Sequence, residues 1–177
     1  MRLFIAVNFA DEIKTRIVKL QTQLRSQSLR GNFSRRENLH ITMAFLGETP
    51  EEKIQCLFQI MEEIQSPSFD IVFSRTGCFT HSRKELWWIG AEPDCAGVPL
   101  LNSIHDQLLD HLEKEGFTVD KRPFNAHITL GREVSHKDPI ILDNPVITVR
   151  VDHISLMKSE NIRGVLTYTE LHRRQLL

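Results

Sequence analysis

Residues 38–43 read NLHITM, and residues 125–130 read NAHITL. In an extended chain alternate side chains face opposite sides. Leu39, Ile41, Met43 and Phe45 therefore fall on one face of the first segment, with His40, Thr42 and Ala44 on the other. In the second segment Ala126, Ile128 and Leu130 fall on one face, and His127, Thr129 and Gly131 on the other. Each segment is predicted to be a strand with an apolar side that packs and a side that presents His and Thr, about 7 Å apart along the chain. Packing alone explains the repeated apolar letters. It gives no reason to repeat Asn, His and Thr.

The segments sit in matching surroundings. RLFIAVNF (2–9) reads as an opening strand, and Asp11 starts a helical pattern whose stripe is Ile13, Ile17, Leu20 and Leu24. SLRGNFSRRE reads as loop before the first motif. After it, Thr49 as N-cap, Pro50 and Glu52 announce a helix with Ile54, Leu57, Met61 and Ile64 on its apolar face. FDIVF (69–73) and ELWWIGA (85–91) read as strands joined by an irregular loop. A second long helix carries Leu101, Ile104, Leu108 and Leu112 and ends near Gly116. The second motif follows, then strands near 145–157 and 164–171 with ENIRG as a hairpin turn. Helix, loop and motif strand thus occur once per half. This predicts an α+β chain in which residues 1–177 form one bilobal, duplicated domain. Two antiparallel sheets backed by helices would enclose a groove between the lobes.

Bulk properties narrow the function. The chain has 177 residues, 41% hydrophobic and 25% charged, with a net charge of −1. A broad basic surface for tracking long nucleic acid is therefore not expected. No apolar run reaches the length of a membrane span, and the N-terminus lacks the pattern of a signal peptide. Cys56, Cys78 and Cys95 are odd in number and form no CxxC, which points to a reducing, cytoplasmic setting. Neither motif carries a carboxylate or a second His, and no phosphate-binding glycine loop is present, so no metal and no cofactor is expected.

Two imidazoles across one groove can divide acid–base work. One neutral His takes a proton from an attacking water while one protonated His gives a proton to the departing oxygen. The Thr hydroxyls, with an Arg, can hold the non-bridging oxygens of a phosphoryl group as charge builds. The residues alone do not say which His is acid and which base.

HITM (40–43) and HITL (127–130), together with RLFIAVNF, ENLHITMAFLGE, ELWWIGA, RPFNAHITLGR and YTELHRRQL, resemble the 2H phosphoesterases. Within them, the likeness is to bacterial and archaeal RNA 2′,3′-cyclic phosphodiesterases, also called 2′-5′ RNA ligases. The resemblance spans nearly the whole chain. It implies hydrolysis of a 2′,3′-cyclic phosphate at an RNA end to a 2′-phosphate, without a metal, and reversible 2′-5′ ligation at the same site. It makes His40 the proton donor and His127 the proton acceptor, with Thr42, Thr129 and Arg132 binding substrate. Arg132 has the wrong strand parity for the His–Thr face and needs a bulge to reach it. At the matching place in the first half stand Phe45 and Leu46. The partners implied are RNA ends or nucleotides bearing a cyclic phosphate, met by a monomer and with no membrane. Two other readings stay open: a non-catalytic binder of nucleotides or RNA ends, and an esterase for small cyclic or 2′-5′-linked nucleotides.

Overall fold

The computed structural model describes residues 1–82 and 84–177. Its nine strands and three helices run β1 (Arg2–Asn8), α1 (Asp11–Ser26), β2 (Arg30–Phe33), β3 (His40–Glu48), α2 (Ile54–Glu63), β4 (Phe69–His81), β5 (Lys84–Ala91), α3 (Gly97–Lys114), β6 (His127–Ser135), β7 (Ile147–Val151), β8 (His153–Ile162) and β9 (Val165–Gln175). They build two antiparallel sheets, ordered β3-β1-β8-β9 and β2-β6-β5-β4-β7. One motif strand lies in each sheet. Among the described residues no helix is long and apolar enough to cross a membrane.

The lobes are not the two halves of the sequence. β8 and β9 come from the C-terminal end but complete the first motif's sheet, while β2 leaves the N-terminal half to edge the second. The helices follow the same exchange. α1 packs on β2, β6 and β7, α2 packs on β8 and β9, and α3 bridges β3 and β4. One hydrophobic core therefore draws on both halves, from Leu3 and Ile41 to Ile128 and Leu176. α1 buries Ile17, Leu20 and Leu24, and beside them Gln21, whose amide donates to the carbonyls of Ser34 (2.6 Å) and Leu130 (2.7 Å). That side chain fixes the second motif strand against α1.

Several local expectations are corrected. Residues 30–33, expected as loop, form β2, which gains backbone pairing with β6 that its sequence does not advertise. Thr49 does not cap α2: its hydroxyl donates to Gly47 O, and Glu51–Lys53 form a 3-10 turn before the helix. β4 and β5 run far past the expected ends, to His81 and from Lys84, because their cross-strand pairing continues. Arg163 (φ 52°) and Gly164 (φ 84°) form the tight turn expected in ENIRG.

Phe45 is the most informative departure. Expected on the apolar face, it is 50% exposed, whereas Ala44, expected beside His40, is buried. The register with β1 passes from Ala6–Thr42 to Ile5–Ala44, leaving Met43 as an extra residue. This bulge reverses the alternation, so Met43 and Ala44 both enter the core and Phe45 turns outward.

Candidate active site

β3 and β6 lie side by side across the gap between the sheets. A cavity of about 230 Å³ opens there, lined by His40 and Thr42 from β3, His127, Thr129 and Arg132 from β6, and Asn32, Ser34, Arg35, Asn38, Leu166 and Tyr168 among others. All five residues that the sequence offered as site candidates thus border one space.

The imidazoles are held alike. Nδ1 of His40 lies 2.7 Å from the carbonyl of Asn38, and Nδ1 of His127 lies 2.7 Å from the carbonyl of Asn125. A carbonyl only accepts, so each Nδ1 carries the proton and each neutral ring turns an unprotonated Nε2 outward. His40 Nε2 accepts from the Thr42 hydroxyl at 2.9 Å. The motif Asn residues supply these carbonyls, and the Asn38 amide also donates to Leu166 O (2.9 Å), tying the first motif to β9.

The surroundings of the rings differ. His40 packs on Phe4 (centroids 4.9 Å apart) and takes the edge of Tyr168 (5.4 Å). Burial among these rings pushes its pKa below 6.5, and the charges of Arg132 and His127 push the same way against the raising effect of the Asn38 carbonyl. Burial also raises the Tyr168 phenol. His127 takes the edge of Phe79 (5.8 Å), which itself leans on Trp88 (5.3 Å). The Trp88 indole lies flat on its sheet because glycines flank it. A Cβ at Gly77 would come within 2.6 Å of the ring, and one at Gly90 within 2.8 Å.

Arg132 reaches the cavity through the required bulge. Thr129 pairs with Trp88 and Gly131 with Trp87, leaving Leu130 as an extra residue that reverses the alternation before Arg132; a second irregularity follows, where Arg132 and Glu133 oppose only Leu86 and Glu133 adopts φ 52°. Arg132 and Phe45 occupy the fifth position after His127 and His40, each turned toward the groove by its own bulge. The duplication has placed a cation at one site and an apolar ring at the other.

The other cations divide. Arg36 is held by Asp11, Lys121 by Glu113 and Arg122 by Asp120, whereas Arg35, paired with Glu37 at 3.5 Å, borders the cavity. Asn32, Ser34 and Phe4 were not singled out by sequence, which left Tyr168 equally suited to lining the site and to packing. Only the pairing of β2 with β6 and of β1 and β9 around β8 brings them to the groove. His172 stacks on Phe58 (4.4 Å) and faces Glu62 (2.9 Å). Among the described residues no three His, Cys, Asp or Glu side chains gather as a metal site would require.

Fold and groove together define a two-lobed α+β protein with a duplicated His–Thr site. The chain belongs to the 2′-5′ RNA ligase superfamily, whose profile matches residues 9–163. An RNA 2′,3′-cyclic phosphodiesterase of Archaeoglobus fulgidus is 35% identical over 144 residues, covering 81% of this chain and 78% of that protein. One from Escherichia coli K12 is 30% identical over 174 residues, covering 97% and 94%. The crystal structure of Escherichia coli LigT in apo form superposes with a TM-score of 0.83 at 28% identity, covering 99% of this chain and 96% of that one. LigT complexed with 3′-AMP superposes equally well, with a TM-score of 0.83.

Proposed function

We propose that this protein is an RNA 2′,3′-cyclic phosphodiesterase that opens the cyclic phosphate to a 2′-phosphate by two-histidine acid–base catalysis. The observation that carries the reading is the pair of imidazoles, each locked through Nδ1 to a backbone carbonyl and each offering Nε2 to one cavity that also holds two Thr hydroxyls and Arg132. The names of the curated relatives and the 3′-AMP bound by LigT support a nucleotide phosphate as the ligand.

His127 Nε2 takes the proton from water as its oxygen attacks phosphorus. The bond to O3′ breaks in line, and His40 Nε2 supplies the proton that O3′ needs. Thr42, Thr129 and Arg132 hold the non-bridging oxygens, on which charge accumulates. His40 must be protonated to serve as donor, yet in the free groove it is biased toward neutrality. The phosphate resolves this conflict: an anion beside an imidazole favours its charged form and offsets the repulsion from Arg132. Residues 1–177 act in this reading as one bilobal domain, a monomer working in the cytoplasm on RNA ends.

The test is an end-group assay on a short RNA ending in a 2′,3′-cyclic phosphate, in excess EDTA. Formation of the 2′-phosphate is the expected result. Tight binding without turnover favours the non-catalytic binder. Turnover of small cyclic nucleotides but not of the RNA favours the small-nucleotide esterase.

A further inference from the structure

Arg35 and Arg36 are neighbours in sequence with different tasks. Arg36 is spent on structure: its guanidinium donates to the carboxylate and the carbonyl of Asp11, each at 3.0 Å, and to the Thr15 hydroxyl at 3.1 Å. On the other side Ser34 is pinned to the second motif strand. Its backbone N–H donates to Leu130 O (3.2 Å), its hydroxyl donates to Thr129 O (3.1 Å), and its carbonyl accepts from Gln21 (2.6 Å). The backbone at Arg35 is therefore held at both neighbours, while its side chain borders the catalytic cavity. Its partner there is Glu37, at 3.5 Å, with the two side chains 51% and 66% exposed. Exposed pairs of this kind hold weakly and yield to a better anion.

Arg35 is also indexed to His40. Its carbonyl accepts the Asn38 N–H (2.9 Å) across the 3-10 turn Arg36–Asn38, and the Asn38 carbonyl accepts His40 Nδ1–H (2.7 Å). Arg132 enters the cavity from β6, and Arg35 enters it from the turn that leads into His40.

The direction of the chemistry says which part of the substrate passes that turn. Water arrives from His127 and O3′ departs toward His40, so the ribose that carries O3′ lies on the His40 side of phosphorus. The RNA strand leaves that ribose through its 5′-carbon. The first charge along it is the phosphodiester that joins the terminal nucleotide to the one before. We propose that Arg35 binds this phosphodiester and thereby makes the enzyme prefer the end of an RNA strand to a free mononucleoside cyclic phosphate. The inference rests on the roles given above to His40 and His127. A guanidinium suits the task, because its planar fork meets two phosphate oxygens at once. With a net charge of −1 the protein has no broad basic surface to hold a strand, so one placed cation carries the distinction.

The experiment compares three substrates: uridine 2′,3′-cyclic phosphate, a dinucleotide ending in the same group, and that dinucleotide with an uncharged methylphosphonate as its internal linkage. The first sugar of both dinucleotides is 2′-O-methylated, so that only the terminal cyclic phosphate reacts. Wild type, Arg35→Gln and Arg35→Lys are each measured as kcat/KM. Wild type is expected to favour the charged dinucleotide over the mononucleoside. Arg35→Gln is expected to lose about 5- to 30-fold of that preference, the size of a hydrogen bond to a charged group at a partly exposed site. Arg35→Lys keeps the charge without the fork and should retain part of it. The methylphosphonate should cost wild type a similar factor and cost Arg35→Gln nothing further. A preference that Arg35→Gln leaves unmoved overturns the proposal. So does an equal loss on all three substrates, which places Arg35 on the cyclic phosphate itself. A methylphosphonate that wild type tolerates also overturns it, because the linkage is then not read by its charge. A wild type that hydrolyses the mononucleoside as well as the charged dinucleotide overturns the Arg35 contact and spares the proposed function. Failure on every substrate overturns the proposed function itself.

Discussion

Gly77→Ala tests how firmly the second half-site is braced. A Cβ built at Gly77 lies 2.6 Å from Trp88 Cζ2, against about 3.4 Å for an ordinary contact, so the indole must move by about 0.8 Å. The added methyl lies between the sheet and the indole that covers Gly77, so it pushes the ring away from the sheet. It therefore shifts outward, carrying Phe79 and with it the ring packed against His127. Misplacing a catalytic group by about 1 Å costs on the order of 100-fold, so kcat on a cyclic phosphate should fall about 10- to 100-fold with little change in KM. Overpacking should cost about 1–3 kcal/mol, lowering Tm by roughly 2–12 °C for a chain of this size. Steady-state kinetics and calorimetry on the purified variant measure both. Replacing Trp88 with Phe in the same background removes the clashing atoms and should recover part of kcat, which a double-mutant cycle reads directly. A folded Gly77→Ala with wild-type kcat would refute the bracing argument, as would a double variant no better than the single one.

Other outcomes follow from the same geometry. Arg132→Ala should lower kcat about 100- to 1,000-fold, as loss of a transition-state oxyanion donor does, with partial recovery in Arg132→Lys. In an NMR titration of the free protein His40 should titrate below 6.5, and both Arg132→Gln and added inorganic phosphate should raise its pKa, since each reduces or offsets the repulsion. In kinetics, the His40 limb of kcat should accordingly lie at higher pH than that of kcat/KM. The depressed pKa also has a sign in stability. The unfolded chain binds the His40 proton more readily than the folded one, so the contribution is present above 6.5 and is lost as pH falls through the folded pKa. Chemical denaturation from pH 7 to 5 should therefore destabilise wild type more than His40→Gln. Thr42→Val and Thr129→Val should each raise KM and lower kcat, because the hydroxyls hold the phosphate in both ground and transition states.

How much of this was legible in the residues follows from where each constraint resides. Period-two alternation is a property of the strand itself, so His40 with Thr42, and His127 with Thr129, could be placed on one face without a partner strand. The bulge at Met43 depends on how β1 aligns with β3, and nothing in AVNF or HITM specifies it, so Phe45 was assigned to the wrong face. Arg132 fared better because its parity already required a bulge for it to reach the His–Thr face, and the extra residue Leu130 provides it. The duplication was visible as repeated words. The exchange of β2 and β8–β9 between lobes was not, since long-range pairing leaves no local mark. Tyr168, the one Tyr of the chain, was indistinguishable from a packing residue until β9 was placed beside β8, with β1 next in the sheet.

The central claim is the division of labour between His40 and His127. The most direct test is single-turnover cleavage of two substrates by His40→Ala and His127→Ala: the ordinary 2′,3′-cyclic phosphate, and its analogue with sulfur at the 3′ bridging position. A thiolate departs without a proton. His40→Ala is therefore predicted to be nearly inert on the oxygen substrate, about 100- to 10,000-fold down, and substantially restored on the sulfur one. His127→Ala is predicted to be inert on both, because neither substrate supplies a base. Rescue of His127→Ala instead would reverse the roles, and wild-type turnover of the oxygen substrate by either variant would contradict the account.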